Sequence, residues 1–283
     1  MTRPDGFIAT LRAAGLCVGT GDAVLANGRL CRVRADGDSN GQRSGWYVLH
    51  AGPLLAGAYG NWKTGLNESW CEGGSEVLSE ADRAMLREAV VRAQRQQQAE
   101  RAQRQAVARQ QARERWQRAS AATPDHPYLV AKGVGVHGLR QLDGVLLVPL
   151  RDAQGRLWSL QTIAADGSKR FLAGGRKRGL YYAVGRTVSD VVCIAEGYAT
   201  AASIHEATGH PTAVAFDAGN LEPVACALRA KFPSAVIVVC ADDDAATAAR
   251  LGINPGVANA QRAADAVGGV VAMPPRPRHE ATS

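Results

Sequence analysis

Val191-Val192-Cys193-Ile194-Ala195-Glu196-Gly197 and Val236-Ile237-Val238-Val239-Cys240-Ala241-Asp242-Asp243-Asp244 decide the architecture of this chain. Each is an apolar, β-rich run that ends abruptly in acid. Such a run reads as a strand buried on both faces of a parallel sheet. In open α/β sheets, ligands bind outside the carboxyl ends of the strands. Glu196 stands at one predicted strand end, and Asp242 and Asp244 stand at another. Strand side chains alternate, so Asp242 and Asp244 converge while Asp243 points away. Carboxylates gathered at one crevice suit a hard divalent cation such as Mg²⁺. An Asp before a helix also serves as an N-cap, which by itself accounts for Asp244. Three consecutive aspartates exceed what one cap needs, and their repulsion is relieved when a cation is bound.

Around these runs, strand and helix signals alternate. Strands are expected at 191–195, 212–216, 235–241 and 269–273, and helices at 198–208, 221–231, 245–251 and 257–267. This rhythm predicts a parallel sheet flanked by helices, with right-handed crossovers. No GxGxxG follows a strand, and neither GxxxxGK[ST] nor GxSxG occurs. A dinucleotide site, a P-loop ATPase and a nucleophile-elbow hydrolase are therefore not expected.

Upstream, residues 145–150 and 156–163 read as a β-hairpin closed by Arg151-Asp152-Ala153-Gln154-Gly155. After Asp166-Gly167 come Lys169-Arg170-Phe171-Leu172 and then Gly174-Gly175-Arg176-Lys177-Arg178-Gly179. Glycine lets a backbone approach phosphate closely, and Lys and Arg supply the charge. Lys169, Arg170, Arg176, Lys177 and Arg178 are thus candidate phosphate-binding residues, although an exposed basic hairpin loop has the same composition. His126, between prolines in Thr123-Pro124-Asp125-His126-Pro127, reads as a structural residue of a turn.

Residues 79–119 predict one helix of about 40 residues and so about 60 Å. It opens on Ser79-Glu80-Ala81-Asp82, and neither Gly nor Pro follows before Pro124. From Gln94 to Gln111 its apolar face thins to alanine and one valine, so this half is expected to be exposed to solvent or to pair with something. Residues 1–77 read as a small β-rich domain with a short helix at 6–14 and strands at 29–33, 45–49 and 58–62. Its aromatic residues Trp46, Tyr47, Tyr59, Trp62 and Trp70 either fill a small core or stack on single-stranded bases beside Arg32, Arg34, Arg43 and Lys63.

The net charge of +7 is unevenly spread. Residues 78–122 carry ten basic and five acidic side chains, and residues 123–187 carry ten and four. Residues 188–283 carry six basic and ten acidic side chains. A basic middle beside an acidic pocket fits an enzyme that acts on a polyanion. None of the six cysteines forms a CxxC pair. Reduced thiols in a cytoplasmic protein are expected, and no zinc site. No stretch approaches the ~20 apolar residues of a membrane span, and residues 1–7 lack a signal-peptide pattern.

Ala195-Glu196-Gly197-Tyr198-Ala199-Thr200, followed by Asp242-Asp243-Asp244, resembles the toprim domain of bacterial-type primases, topoisomerases and some nucleases. The wider chain resembles plasmid- and phage-borne toprim primases. His126-Pro127-Tyr128-Leu129, Leu147-Val148-Pro149-Leu150, Lys169-Arg170-Phe171, Val214-Ala215-Phe216-Asp217-Ala218-Gly219-Asn220-Leu221 and Gly60-Asn61-Trp62-Lys63 carry this wider likeness. The resemblance implies an α/β fold with a C-terminal toprim domain at 188–283. A basic α+β subdomain of the primase core at 123–187, a long helix at 78–122 and a small N-terminal domain at 1–77 would precede it. It implies Glu196 as general acid/base and Asp242 and Asp244 as metal ligands together with Glu196. Lys169, Arg170, Arg176, Lys177 and Arg178 would hold template or incoming nucleotide. Mg²⁺ or Mn²⁺ is the implied cofactor. Single-stranded DNA and nucleoside triphosphates are the implied partners, with a separate helicase to open strands and no membrane. The expected activity is synthesis of short RNA primers on single-stranded DNA. The chain departs from the pattern at two places: Thr200 stands where replicative primases have an acid, and only Glu280 is available after the last strand. A toprim nuclease and a non-catalytic nucleic-acid-binding protein share the same acidic motifs.

Overall fold

The computed structural model describes residues 4–19, 24–39, 41–51, 55–73, 80–185, 187–188, 190–242 and 255–273. The chain divides into two compact units, residues 1–101 and 102–283.

The first unit carries helix α1 (Asp5–Ala13) and five antiparallel strands in the order β1-β2-β3-β4-β5. These are β1 (Leu16–Cys17), β2 (Cys31–Ala35), β3 (Gly45–His50), β4 (Ala56–Asn61) and β5 (Leu66–Cys71). Phe7 of α1 is fully buried, with the rings of Tyr47, Tyr59 and Trp70 at 5.8, 6.2 and 5.1 Å. Three of the five aromatics thus build the core, as a small domain with few apolar residues requires. Trp46 lies across Gly60, where an added Cβ would meet the indole at 2.8 Å. Trp62 stacks on Trp46 at 5.9 Å and stays 36% exposed, with the Arg32 guanidinium 5.0 Å from its ring centre. Asp38 closes the loop after β2. Its carboxylate accepts from the amides of Ala35 and Ser44 and from the Lys63 ammonium.

Helix α2 (Glu80–Arg118) matches the predicted span to within one residue at each end. Of the two alternatives expected for residues 94–111, exposure or pairing, Ala108 is buried rather than exposed, and Ala112, just beyond that span, packs on the sheet. Ala108 and Ala112 are 1% and 0% exposed, and Ala112 packs with Leu147, Leu157 and Leu160. Their i, i+4 spacing puts both on one face, and the absence of larger side chains lets the helix approach the sheet closely. Arg109 extends this contact, donating to the Leu157 carbonyl at 3.1 Å and lying 4.3 Å from the centre of the Trp158 ring.

The sheet beneath is antiparallel, in the order β10-β9-β8-β7-β6. Its strands are β6 (Ser120–Ala121), β7 (Arg140–Leu142), β8 (Val145–Arg151), β9 (Leu157–Ile163) and β10 (Lys169–Phe171). Helix α3 (Pro127–Lys132) sits between β6 and β7. His126 caps it, accepting from the Tyr128 amide, and is 6% exposed, which fits the structural role expected of it. The centre of β8 is buried on both faces: Leu147 faces α2, while Leu146, Val148 and Leu150 face the larger core. Pro149 is tolerated within β8 because pairing with β7 ends at Leu147. Asp152 ties the β8–β9 turn, accepting from the Arg156 and Gln154 amides, Arg156 Nε and Trp158 Nε1.

The second sheet has the order β11-β13-β12-β14-β15. It comprises β11 (Tyr182–Val184), β12 (Val191–Ala195), β13 (Thr212–Val214), β14 (Val236–Cys240) and β15 (Val270–Ala272). Pairs β12–β13, β12–β14 and β14–β15 are parallel as predicted. The edge strand β11 runs antiparallel to β13, a pairing that the βα rhythm does not announce. Helices α4 (Tyr198–Thr208), α5 (Leu221–Lys231) and α6 (Pro255–Asp265) flank this sheet. The helix expected at 245–251 lies outside the described residues. The two sheets of this unit are joined where Arg151 and Tyr181 exchange backbone hydrogen bonds of 3.1 and 2.9 Å. All six cysteines are free.

Candidate active site at the strand ends

Strands β12 and β14 lie side by side, parallel and in register from Val191 with Val236 to Ile194 with Val239. Glu196 and Asp242 follow the last of these pairs by two and three residues, so both carboxylates leave the sheet at the same edge. Both are half-buried. Asp244 and Glu280 lie outside the described residues. Among the described residues, no group of three or more His, Cys, Asp or Glu side chains is placed to hold a metal ion.

Burial pushes the Asp242 carboxyl above the usual range, and the Lys169 charge and a hydrogen bond from Thr200 pull against it. Thr200 lies in the first turn of α4, four residues after Glu196, and so reaches the neighbouring strand end. It stands where an acid is expected, and it supplies a donor to Asp242 in place of a further negative charge. Lys169 comes from β10, in the other sheet. Its ammonium lies 3.5 Å from where a Cβ on Gly197 would stand, and Thr200 Oγ1 lies 3.9 Å from the same point. A side chain longer than methyl at residue 197 would enter the space between them. A cleft of about 320 Å³ borders Asp242, lined also by Thr200, Ile204, Cys240 and Met273.

The basic loop divides by role. Lys177 pairs with Asp217 and lies 5.1 Å from the centre of the Phe171 ring. Phe171 meets Phe216 edge-on at 6.1 Å, and the Phe216 amide donates to the Glu196 carbonyl at 2.8 Å. Phe216 has φ 74°, a left-handed conformation that a bulky residue rarely adopts and that clusters at functional sites. Arg176 is engaged with Trp158, 4.8 Å from its ring centre, which it shares with Arg109. Arg170 and Arg178 are exposed and, among the described residues, form no salt bridge. Lys169 and Lys177 therefore reach the parallel sheet, Arg176 is held by an indole, and Arg170 and Arg178 face solvent.

Asn220 had no assigned role in the sequence. It is 2% exposed, accepts from the Gly179 amide, and donates to the carbonyls of Leu180 and Ala215. It fastens the end of the basic loop to the end of β13. A buried Asn before a helix signals a cap in sequence, and only the fold shows that it clamps a loop forty residues away.

A family model described as the toprim domain matches residues 191–280, the segment that contains β12, β14 and their acidic ends. Residues 191–280 are a toprim domain. Two curated relatives, both DNA primase TraC of Escherichia coli, match nearly the whole chain. One is 38% identical over 284 residues, covering 97% of this chain and 26% of that protein. The other is 38% identical over 286 residues, covering 97% and 20%. The chain thus spans about a quarter and a fifth of the length of these relatives. Among solved structures, the primase fragment of the bacteriophage T7 primase-helicase protein superposes with a TM-score of 0.41 at 16% identity. That match covers 56% of this chain and 66% of the other. Glu196 and Asp242 fall inside the toprim domain, while Lys169, Arg170 and the loop at 176–178 precede it.

Proposed function

We propose that this chain is a DNA-dependent primase that makes short RNA primers on single-stranded DNA by metal-dependent nucleotidyl transfer. One observation carries the reading above all: Lys169 reaches from the basic antiparallel sheet to the strand ends that present Glu196 and Asp242. Cation and carboxylates meet where a nucleotide's phosphates would need both. The likeness to DNA primase TraC over 97% of the chain supports it.

In this reading residues 123–187 supply the basic half of the core and the toprim domain supplies the acidic half. A primer 3′-hydroxyl attacks the α-phosphorus of the incoming nucleotide, the new P–O bond forms, and pyrophosphate leaves with the electrons of the broken bond. Glu196 accepts the hydroxyl proton. Lys169, Arg170, Lys177 and Arg178 bind phosphate oxygens of nucleotide and template, and Arg176 holds Trp158 in the wall behind them. The described donors fit a hard cation: Glu196 and Asp242 offer carboxylate oxygens at adjacent strand ends, and an added positive charge offsets the burial that raises Asp242. Asp244 completes the proposed ligand set. Bound Mg²⁺ or Mn²⁺ would supply charge neutralisation to the phosphates.

In this reading a helicase opens the strands on which the primers are made. No helix of the described residues is long and apolar enough to cross a membrane, and a cytoplasmic site of action goes with the reading.

The test is incubation of the chain with single-stranded DNA and labelled ribonucleotides, with Mg²⁺ or Mn²⁺ and with chelator. Template-dependent oligoribonucleotides that vanish with chelator are expected. Absence of product with either ion overturns the reading. Thr200 in place of an acid favours one second reading, a non-catalytic DNA-binding protein, which predicts salt-sensitive binding that survives Asp242→Asn without turnover. Nicking of DNA in the absence of nucleotides would instead mark a nuclease.

A further inference from the structure

We propose that this chain holds the phosphate of a nucleotide in a second pocket, at the far end of α4 from Glu196 and Asp242. The pocket has a volume of about 460 Å³, within the range of small-ligand sites. Its walls include Trp116, His137, Arg151, Tyr182, Gly185 and His205. These come from the end of α2, the loop before β7, the end of β8, strand β11 and the last turn of α4.

Two cations here lack a carboxylate partner among the described residues. The guanidinium groups of Arg140 and Arg151 lie 4.7 and 5.5 Å from the centre of the same Trp116 ring. Both are half-buried. Among the described residues neither forms a salt bridge. Each spends a donor on a carbonyl, Arg140 on Trp116 and Arg151 on Gly155. Five N–H donors per guanidinium leave most of the fork of Arg151 for a ligand. Burial lowers the Arg151 pKa, Tyr182 opposes that, and the neighbouring Arg140 charge adds to the lowering. Two like charges on one indole are costly unless an anion joins them, and planar guanidinium groups suit phosphate oxygens.

Across the pocket, the His137 and His205 rings meet edge-on at 5.4 Å. Glu206, the nearby acid, is occupied by His137 Nε2 and the Gly135 amide, at 2.5 and 2.8 Å, and so leaves Arg151 unneutralised. The wall is bare at Gly185, where an added Cβ would lie 2.7 Å from His205. An aromatic wall, Arg151 and two histidines around this volume, with Arg140 on the same indole, suit one nucleotide with its phosphates. The same phosphate chemistry is offered by a nucleotide within a strand, and the two ligands of the test separate these sources.

The test measures binding of ATP and of a short oligodeoxythymidine to the full chain in chelator. Chelator removes the divalent ions that the toprim carboxylates would need. Three variants are compared: Arg151→Gln, Ala183→Phe and Lys169→Gln. Ala183 is an exposed strand residue in the pocket wall, so its substitution fills the pocket without touching a charge or the core. The proposal expects ATP affinity to fall tenfold or more in both Arg151→Gln and Ala183→Phe, whatever the effect of Lys169→Gln. The same pattern with the oligonucleotide alone would assign the pocket to a strand phosphate. No binding of either ligand in chelator overturns the proposal. So does a loss confined to Lys169→Gln, which would place the ligand at the carboxylates. This outcome is independent of primer synthesis, so failure here leaves the primase reading standing.

Discussion

Asp242 is held between opposing influences. Burial raises its carboxyl, and Lys169 and Thr200 lower it. Removing the Thr200 hydroxyl leaves the burial less opposed, so in Thr200→Val the pKa of Asp242 rises further. Only the ionised carboxylate binds a cation, so the acid limb of the pH–rate profile for primer synthesis is expected to move to higher pH. An unchanged limb would remove Thr200 from this role. The linkage to stability has a definite sign. With its folded pKa above the unfolded value near 3.8, Asp242 favours the fold most below that pH and less as pH rises through the folded pKa. Asp38 has the opposite sign. The Ser44 amide leads the hydrogen bonds that hold its carboxyl well below the usual range. Its contribution is present above the unfolded value near 3.8 and is lost as pH falls toward the folded pKa. Asp38→Asn is therefore expected to lower the urea midpoint of the first unit at pH 7 and to narrow its gap from the parent in acid. Glu196 and Asp242 were legible because an acid after an apolar run is conspicuous. Asn220 and Phe216 were not, because a clamp and a left-handed backbone depend on partners far along the chain.

At the level of elements, periodicity carried the strands and the long helix, and burial decided what it left open. The stripe Ala108, Ala112 and Trp116 recurs every four residues, yet alanine gives so weak an apolar signal that the sequence leaves exposure and pairing open. The structure shows it as a contact surface. Ala112→Leu should therefore overpack the α2–sheet contact and cost about 1–3 kcal/mol in denaturant unfolding. Gln110→Leu, on the exposed side of the same helix, should cost little. Equal effects would contradict this packing. The β8–β9 hairpin was evident from its turn residues, but not the reason for Asp152. Burial pushes its carboxyl up, while the donors from Trp158 and Arg156 outweigh it and bring it down to about 2. Asp152→Ala leaves those donors unmet and should destabilise the second unit by about 1–3 kcal/mol. The antiparallel edge strand β11 escaped notice because three residues are too few for a period, and its place is set by the Arg151–Tyr181 bridge.

Over the whole molecule, the charge asymmetry visible in sequence becomes an arrangement. The basic antiparallel sheet of the second unit sends Lys169 and Lys177 to the acidic ends of the toprim sheet, and Arg170 and Arg178 remain exposed. Charge of this kind binds a strand by displacing counterions, so affinity for single-stranded DNA should fall with salt. Replacing Arg170 and Arg178 by glutamine should reduce the slope of log affinity against log salt by about 0.7 per cation. An unchanged slope would place the strand elsewhere. Charge distribution was readable because it needs only counting. The meeting of two sheets at one edge was not, because nothing in the local sequence of β10 says which strand end it will face. The central claim is that Glu196 and Asp242 together perform nucleotidyl transfer. Its most direct measurement is template-dependent ribonucleotide incorporation by the parent chain, Glu196→Gln and Asp242→Asn, with folding checked by circular dichroism. The account predicts product from the parent and a loss of about 100-fold or more in Glu196→Gln, in line with general acid–base catalysis, with Asp242→Asn also strongly impaired. Undiminished incorporation by a folded Glu196→Gln variant would contradict it.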